Sequence, residues 1–206
     1  MNWMNRGAVA LLLVAWLGVL GGCDMFGKGT QKAELKLPEK ARILVMVDPR
    51  PASNTPIDVP AALGETINRY LYKHNVGENF VAQARLTELR KNPQFARMGI
   101  ADIAKATDAD VVVFLDLVRF SADTQSEGQL TEGFAQGLVK VVDGRGQRLW
   151  PAETEVLGQE VQAVVAPNFA SDMSVVQVRQ ALIDGMAIHT GRLFHDYDKE
   201  DKEVAK

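Results

Sequence analysis

A single cysteine, Cys23, in a chain of 206 residues leaves no second thiol, so an intramolecular disulfide is excluded even in an oxidising compartment. Charge of one sign is also scarce: Lys and Arg number 23 against 26 Asp and Glu, a formal net charge of −3. Without a clustered run of Lys or Arg, that balance argues against nucleic acid as a partner. The apolar stretch from Ala8 to Leu20 is too short to span a bilayer comfortably, since a spanning helix needs about 20 apolar residues. Gly-x-Ser-x-Gly, a Walker loop and His-Glu-x-x-His are all missing. Histidines are only three, His74, His189 and His195, and no cysteine or carboxylate cluster joins them into a metal-ligand set. Asp196, Asp198 and Asp201 lack the glycine and terminal Glu of a calcium loop and read as a solvated acidic tail.

What is present begins at the N-terminus. Arg6 supplies a short positive region and the apolar run follows it, the pattern of a secretion signal. Leu20-Gly21-Gly22-Cys23 closes the run and resembles the lipobox of bacterial lipoproteins. The resemblance implies diacylation of the Cys23 thiol, cleavage before it and acylation of the new amino group. An ordinary signal peptide with an incidental cysteine is the alternative. The lipoprotein reading divides the chain into a signal peptide over 1–22, a lipid anchor and tether over 23–40, one domain over 41–195 and a charged tail over 196–206. It makes the bilayer a partner through Cys23 and places the domain in the envelope, facing the periplasm. In some bacteria an Asp directly after the lipidated Cys, here Asp24, keeps the protein in the inner membrane; the sequence does not choose between the two membranes.

Ile43 to Val47 is an unbroken apolar run, as expected of a strand covered on both faces, and Pro49 and Pro51 stop it because neither can donate to a ladder. Asp58 can cap a helix with Pro60 in its first turn and Leu63, Ile67, Tyr70 and Leu71 on one face. A short strand over Phe80–Gln83, a turn or two of helix around Leu86 and Leu89, and a helical stripe of Ile100, Ile103 and Ala104 follow. Asp110 to Val118 reads as the strongest strand, and Asp116 inside it requires a partner or the sheet edge. Ser121 to Gly128 reads as loop. Phe134–Val142, Gln147–Trp150 and Gln159–Val165 are expected to form an antiparallel meander, with Asp143-Gly144-Arg145-Gly146 as a hairpin turn. Ser174 and Gln177 form a capping box opening a helix to Phe194, roughly 30 Å long, with Val175, Val178, Leu182, Met186, His189 and Leu193 on one face. The predicted fold is α/β (α+β): a mixed sheet of about five strands with an antiparallel C-terminal meander, packed by helices including this long one. No internal repeat is visible.

Three stretches carry a further likeness: Arg42–Val47, then Ile100–Ala104 leading into Ala109–Val113, then Leu138–Asp143 with Gly146 and Trp150. In this order they resemble the envelope α/β domain of curli-secretion lipoproteins, penicillin-binding-protein activator lipoproteins and the N-terminal domain of the TolB protein, over about 41–195. The resemblance implies a non-catalytic domain that works by binding other envelope components. No cofactor is expected, and the expected partner is an envelope protein or a second copy of the chain. Two departures stop a specific function from carrying over. No pair of long alternating segments suits a membrane-inserting hairpin, and no long Pro- and Gln-rich arm precedes the domain.

The one candidate site with a geometric argument is the loop after the first strand. If Arg42–Val47 and Asp110–Val118 are parallel neighbours, their carboxyl ends open on one edge, where α/β sheets bind ligands. Arg50, Ser53 and Asn54 would there face Arg119 and Asp123. An ordinary polar surface loop accounts for the same residues. Two classes of function remain: a binding or assembly lipoprotein, or an envelope hydrolase whose residues are scattered through the sequence.

Overall fold

The computed structural model describes residues 29–123, 132–152, 154–155, 157–166 and 173–198, with 123 and 132 as backbone only. The signal peptide, Cys23, Asp24 and residues 199–206 of the tail lie outside the described residues. Among the described residues, eight strands and four α-helices follow in order. They are β1 (Thr30–Gln31), β2 (Arg42–Pro49), α1 (Val59–Lys73), β3 (Asn79–Phe80), α2 (Gln83–Arg90), α3 (Ile100–Thr107), β4 (Val111–Asp123), β5 (Glu132–Asp143), β6 (Arg148–Trp150), β7 (Gln159–Val165), α4 (Val175–Gly191) and β8 (Tyr197–Asp198). Short 3-10 turns occupy Pro51–Ser53 and Phe95–Arg97.

The main sheet runs β3-β2-β4-β5-β6, with β7 also on β5. The fold is the expected mixed α/β sheet with a long C-terminal helix. β2 pairs in parallel with β3 and β4, while β4, β5, β6 and β7 are antiparallel. The meander takes a different form from the expected one. β6 pairs with Val141 and Val142, and β7 returns to the same edge of β5 at Gly133–Val139, so the last strand lies beside the first of the three and not beyond the second. β6 spans only three residues, which leaves most of that edge to β7.

Ile43, Val45 and Val47 of β2 and Val111, Val113, Leu115 and Leu117 of β4 point to an inner core closed by α1 and α4. Leu44, Met46, Val112 and Val142 point the other way, into a second core under α2 and α3 with Leu86, Ile103 and Ala104. A continuous apolar run on β2 is therefore what a strand sandwiched between two helical layers requires. β3 is only two residues long, so the outer edge of β2 lacks a strand beyond it. Its carbonyls are satisfied otherwise: Val81 N–H donates to Ile43 O at 2.8 Å, Gln83 Nε2 to Val45 O at 2.7 Å and Arg90 Nη2 to Val47 O at 2.5 Å. Two side chains of α2 thereby stand in for ladder partners and cover the edge.

β4 and β5 are longer than the sequence suggests, because Ser121 to Asp123 continue the ladder instead of opening a loop. A bulge between Leu117 and Arg119 shifts the register. Leu115 and Leu117 face the inner core, and the shift lets Phe120, an odd number of residues later, face it too. α4 opens on the expected capping box: Ser174 N donates to Gln177 Oε1 at 2.8 Å and Gln177 N to Ser174 Oγ at 3.3 Å. It buries more than one stripe, with Val178, Leu182, Ile183, Met186 and Ala187 all in the inner core. Gly191 lies against the Tyr70 ring of α1, where a Cβ would collide with it, so the two helices cross closely at this point. Asp58 precedes α1 but makes no side-chain cap; its carboxylate lies 3.6 Å from Arg179 Nη1 instead.

The expected boundaries at 40 and 196 also shift. β1 and β8 form an antiparallel ribbon, Thr30 Oγ1 donates to Asp198 Oδ1 at 3.0 Å, and Asp196 accepts from Lys32 Nζ at 2.8 Å and from Ala33 N at 2.9 Å. Leu37 is buried in the inner core. Residues assigned to tether and tail thus hold one another from opposite ends of the chain.

Candidate functional site

Two features meet where β2 ends beside β4. The first is a row of charges on the outer face of the sheet. Asp48 and Asp116 are direct neighbours in the parallel register. Arg50 grips Asp116 with two prongs: Nε lies 3.0 Å from each carboxylate oxygen and Nη2 lies 2.6 Å from Oδ2. That pair supplies the partner that Asp116 requires inside an apolar strand. Arg90 reaches toward Asp48 at 3.9 Å while donating to Val47 O. Partial burial raises the Asp48 carboxyl above the usual range, although 53% of the side chain is exposed; Arg90 opposes the shift, and the neighbouring Asp116 charge adds to it. Burial in turn lowers the Arg90 guanidinium.

The second feature is a cleft of about 610 Å³ beside the free end of β4. The 3-10 turn Pro51–Ser53 forms its far wall, and Asn54 leaves the turn in the left-handed region, φ 52°. Ser53 is buried, its hydroxyl 2.7 Å from Arg50 O and 2.7 Å from Thr55 Oγ1, which fixes the turn. Ser53, Asn54, Arg119 and Gln136 line the cleft together with Val175 and Arg179 from the start of α4. Arg119 lies over the Phe134 ring at 5.1 Å.

The structure therefore brings Ser53, Asn54 and Arg119 together as the sequence predicts. It separates Arg50, which turns to Asp116 and does not line the cleft. Asp123 stands in β4 opposite Glu132, and its side chain lies outside the described residues. Arg179 and Gln136 escape a reading of the sequence. Each is a lone polar residue on an element predicted for its apolar pattern, and only tertiary packing carries them to the end of β2. Asp48 carried a signal, since it ends an apolar run at a strand's carboxyl end, but it reads equally as the first residue of a loop.

The three histidines do not come together in one cluster. His74 and His195, 121 positions apart in sequence, stack with ring centroids 4.3 Å apart, and His195 Nε2 lies 3.2 Å from the Tyr70 hydroxyl. His189 stands apart on α4. No group of three or more His, Cys, Asp or Glu side chains converges among the described residues. No helix among them is long and apolar enough to cross a membrane.

No protein-family model matches the chain, and no curated protein matches it. Solved structures that align with the chain include the PelC dodecamer from Paraburkholderia phytofirmans, at 10% identity and a TM-score of 0.48, covering 81% of this chain and 98% of that one. Lipoprotein GNA1162 from Neisseria meningitidis aligns at 13% identity and a TM-score of 0.44, covering 72% and 99%. A minor lipoprotein from Acinetobacter baumannii aligns at 12% identity and a TM-score of 0.36, covering 75% and 91%. Likenesses this distant lend the chain neither a family nor an activity.

Proposed function

We propose that the chain is a lipid-anchored protein of the bacterial envelope whose domain acts by binding another protein and not by catalysis. Leu20-Gly21-Gly22-Cys23 after a short apolar run supports the anchor. One observation carries the binding role: two large aliphatic side chains, Ile57 at 99% and Val176 at 70% exposure, stand next in sequence to residues that line the cleft, Pro56 and Val175. Aliphatic side chains left this exposed suit a protein contact. Ser53 in the cleft wall is fixed by its hydrogen bond to Arg50 O, and Arg50 itself turns away to Asp116.

The anchor is tested by Cys23→Ser. The variant is expected to leave the membrane fraction or to accumulate unprocessed, because two or three acyl chains, at about 0.8 kcal/mol per buried methylene, are what hold such a protein permanently. Unchanged mass and unchanged partition would remove the anchor. The binding role is tested by crosslinking in intact cells from a photoreactive residue at position 57, which should capture an envelope protein or a second copy of the chain.

A hydrolase is the second reading, and the raised Asp48 carboxyl beside Asp116 is what favours it. Purified chain that cleaves peptidoglycan, peptides or esters, and loses that activity in Asp48→Asn, would establish it in place of the binding role.

A further inference from the structure

We propose that the cleft beside the free end of β4 receives an extended acidic segment of a protein partner, its carboxylates held by Arg119 and Arg179. This rests on the binding role and names the chemistry of the partner.

The sign of the ligand follows from the lining. Arg119 and Arg179 are the charged side chains of the cleft, and no carboxylate lines it among the described residues. Arg119 is exposed, with its Cζ 5.1 Å from the centroid of the Phe134 ring. Arg179 Nη1 lies 3.6 Å from Asp58, and the side chain is 31% exposed. A carboxylate is the acceptor that guanidinium geometry fits best. Asn54 and Gln136 add neutral donors and acceptors beside the two cations.

The size and shape favour a segment of chain over a small anion. At about 30 Å³ per water molecule, 610 Å³ is room for roughly twenty waters, far more than one oxyanion displaces. β4 makes its last pairing with β2 at Leu117 and continues to Asp123, so Val118, Arg119 and Phe120 border the cleft where a neighbouring strand would otherwise lie. An extended peptide laid along this edge alternates its side chains between two faces. Acidic residues at alternate positions would meet the two guanidiniums. The whole chain carries a net charge of −3, so attraction of an acidic partner is local to this cleft and not a long-range effect.

The test uses the full acylated chain in detergent and a fluorescent hexapeptide of alternating Val and Glu, read by anisotropy, with the Val and Gln peptide as control. The Glu peptide should bind at least about tenfold more tightly than the Gln peptide, and Arg119→Gln and Arg179→Gln should each weaken it by about tenfold, the loss of one charge-assisted contact. Lys140→Gln, on the same sheet but outside the cleft, should leave binding unchanged. Arg119 is exposed, so its variant tests the site even if Arg179→Gln unfolds the start of α4. Equal binding of the two peptides, or indifference to Arg119→Gln, would overturn the inference. Displacement of the Glu peptide by an equal concentration of inorganic phosphate would also overturn it and make the cleft a general oxyanion site. If the Glu peptide does not bind while crosslinking from position 57 still captures a protein, the acidic segment falls and the binding role stands. Turnover by the same preparation, lost in Asp48→Asn, would overturn the binding role itself.

Discussion

The two halves of the main sheet are built on different rules. In the parallel half, β2 is buried over Leu44–Val47 on both faces, under α1 and α4 on one side and α2 and α3 on the other. In the antiparallel half, β7 alternates: Val161, Ala163 and Val165 are buried against α4, while Glu160, Gln162 and Val164 are exposed. Gln136 Nε2 donates to Glu160 Oε1 at 2.8 Å across that bare face, and Gln162 donates to the same carboxylate oxygen. The two hydrogen bonds hold the Glu160 carboxyl below the usual range. A doubly covered strand has no polar side to offer, so its charges collect at its end, where Asp48, Asp116, Arg50 and Arg90 meet. A half-covered sheet can carry polar groups along its whole length. The cleft lies at the junction of the two regimes, where β4 passes from doubly covered to bare.

The largest effect should separate the halves through their cores. Leu44 and Leu182 are both fully buried, Leu44 in the outer core and Leu182 in the inner one. Truncating either to Ala removes three carbons and leaves a cavity, at about 2–5 kcal/mol. Both variants should lower the midpoint of chemical denaturation by comparable amounts with an unchanged slope. If Leu44→Ala were as stable as the parent, α2 and α3 would be an ornament on a single-core domain and the contrast between the halves would fail.

A smaller effect concerns pH at the β7 side of α4. Burial holds the His189 imidazole below its usual pKa of 6.5, and the nearby Arg192 charge lowers it further. The folded chain then binds fewer protons at this site than the unfolded chain does. The stability tied to neutral His189 is present in full above 6.5 and is lost as pH falls through the interval down to the folded value. Part of the residue is exposed, which keeps the effect modest. His189→Gln should therefore lose less stability than the parent between about pH 7 and about pH 5. His74 and His195 are common to both proteins and cancel in the difference. Equal losses in the two would show that His189 does not feel its surroundings.

Much of this contrast is legible in the sequence, and the exceptions have physical causes. The run Ile43–Val47 reads as doubly covered because it admits no polar position, and Asp116 announces the need that Arg50 meets. Ser174 and Gln177 declare the start of α4 through chemistry confined to four residues. What escapes is held by partners distant in the chain. Thr30 and Gln31 have no apolar period, and only hydrogen bonds to Tyr197 and Asp198 make them a strand. The bulge after Leu117 is equally silent, since nothing local distinguishes Val118 from a regular strand residue until Phe120 needs the core. Arg179 reaches the cleft through the packing of α4 on the sheet, which a helical pattern predicts without saying where the helix begins relative to β2.

The smallest effect bears most directly on whether the antiparallel half is bare. Val164 is 57% exposed on a strand whose alternate residues are buried, opposite Phe134 in the register of β5. An aliphatic side chain that stays more than half in water contributes little, so Val164→Thr, which keeps the branched shape and adds a hydroxyl, should change stability by less than about 0.5 kcal/mol. Thr also suits a strand about as well as Val does, which removes propensity from the comparison. The measurement is best made on the full chain by denaturant midpoint. A loss above about 1 kcal/mol would mean that the hydroxyl has been forced into an apolar contact and that this face is covered in solution. The sheet would then be sandwiched along its whole width, and the distinction between its halves would reduce to the identity of what covers each.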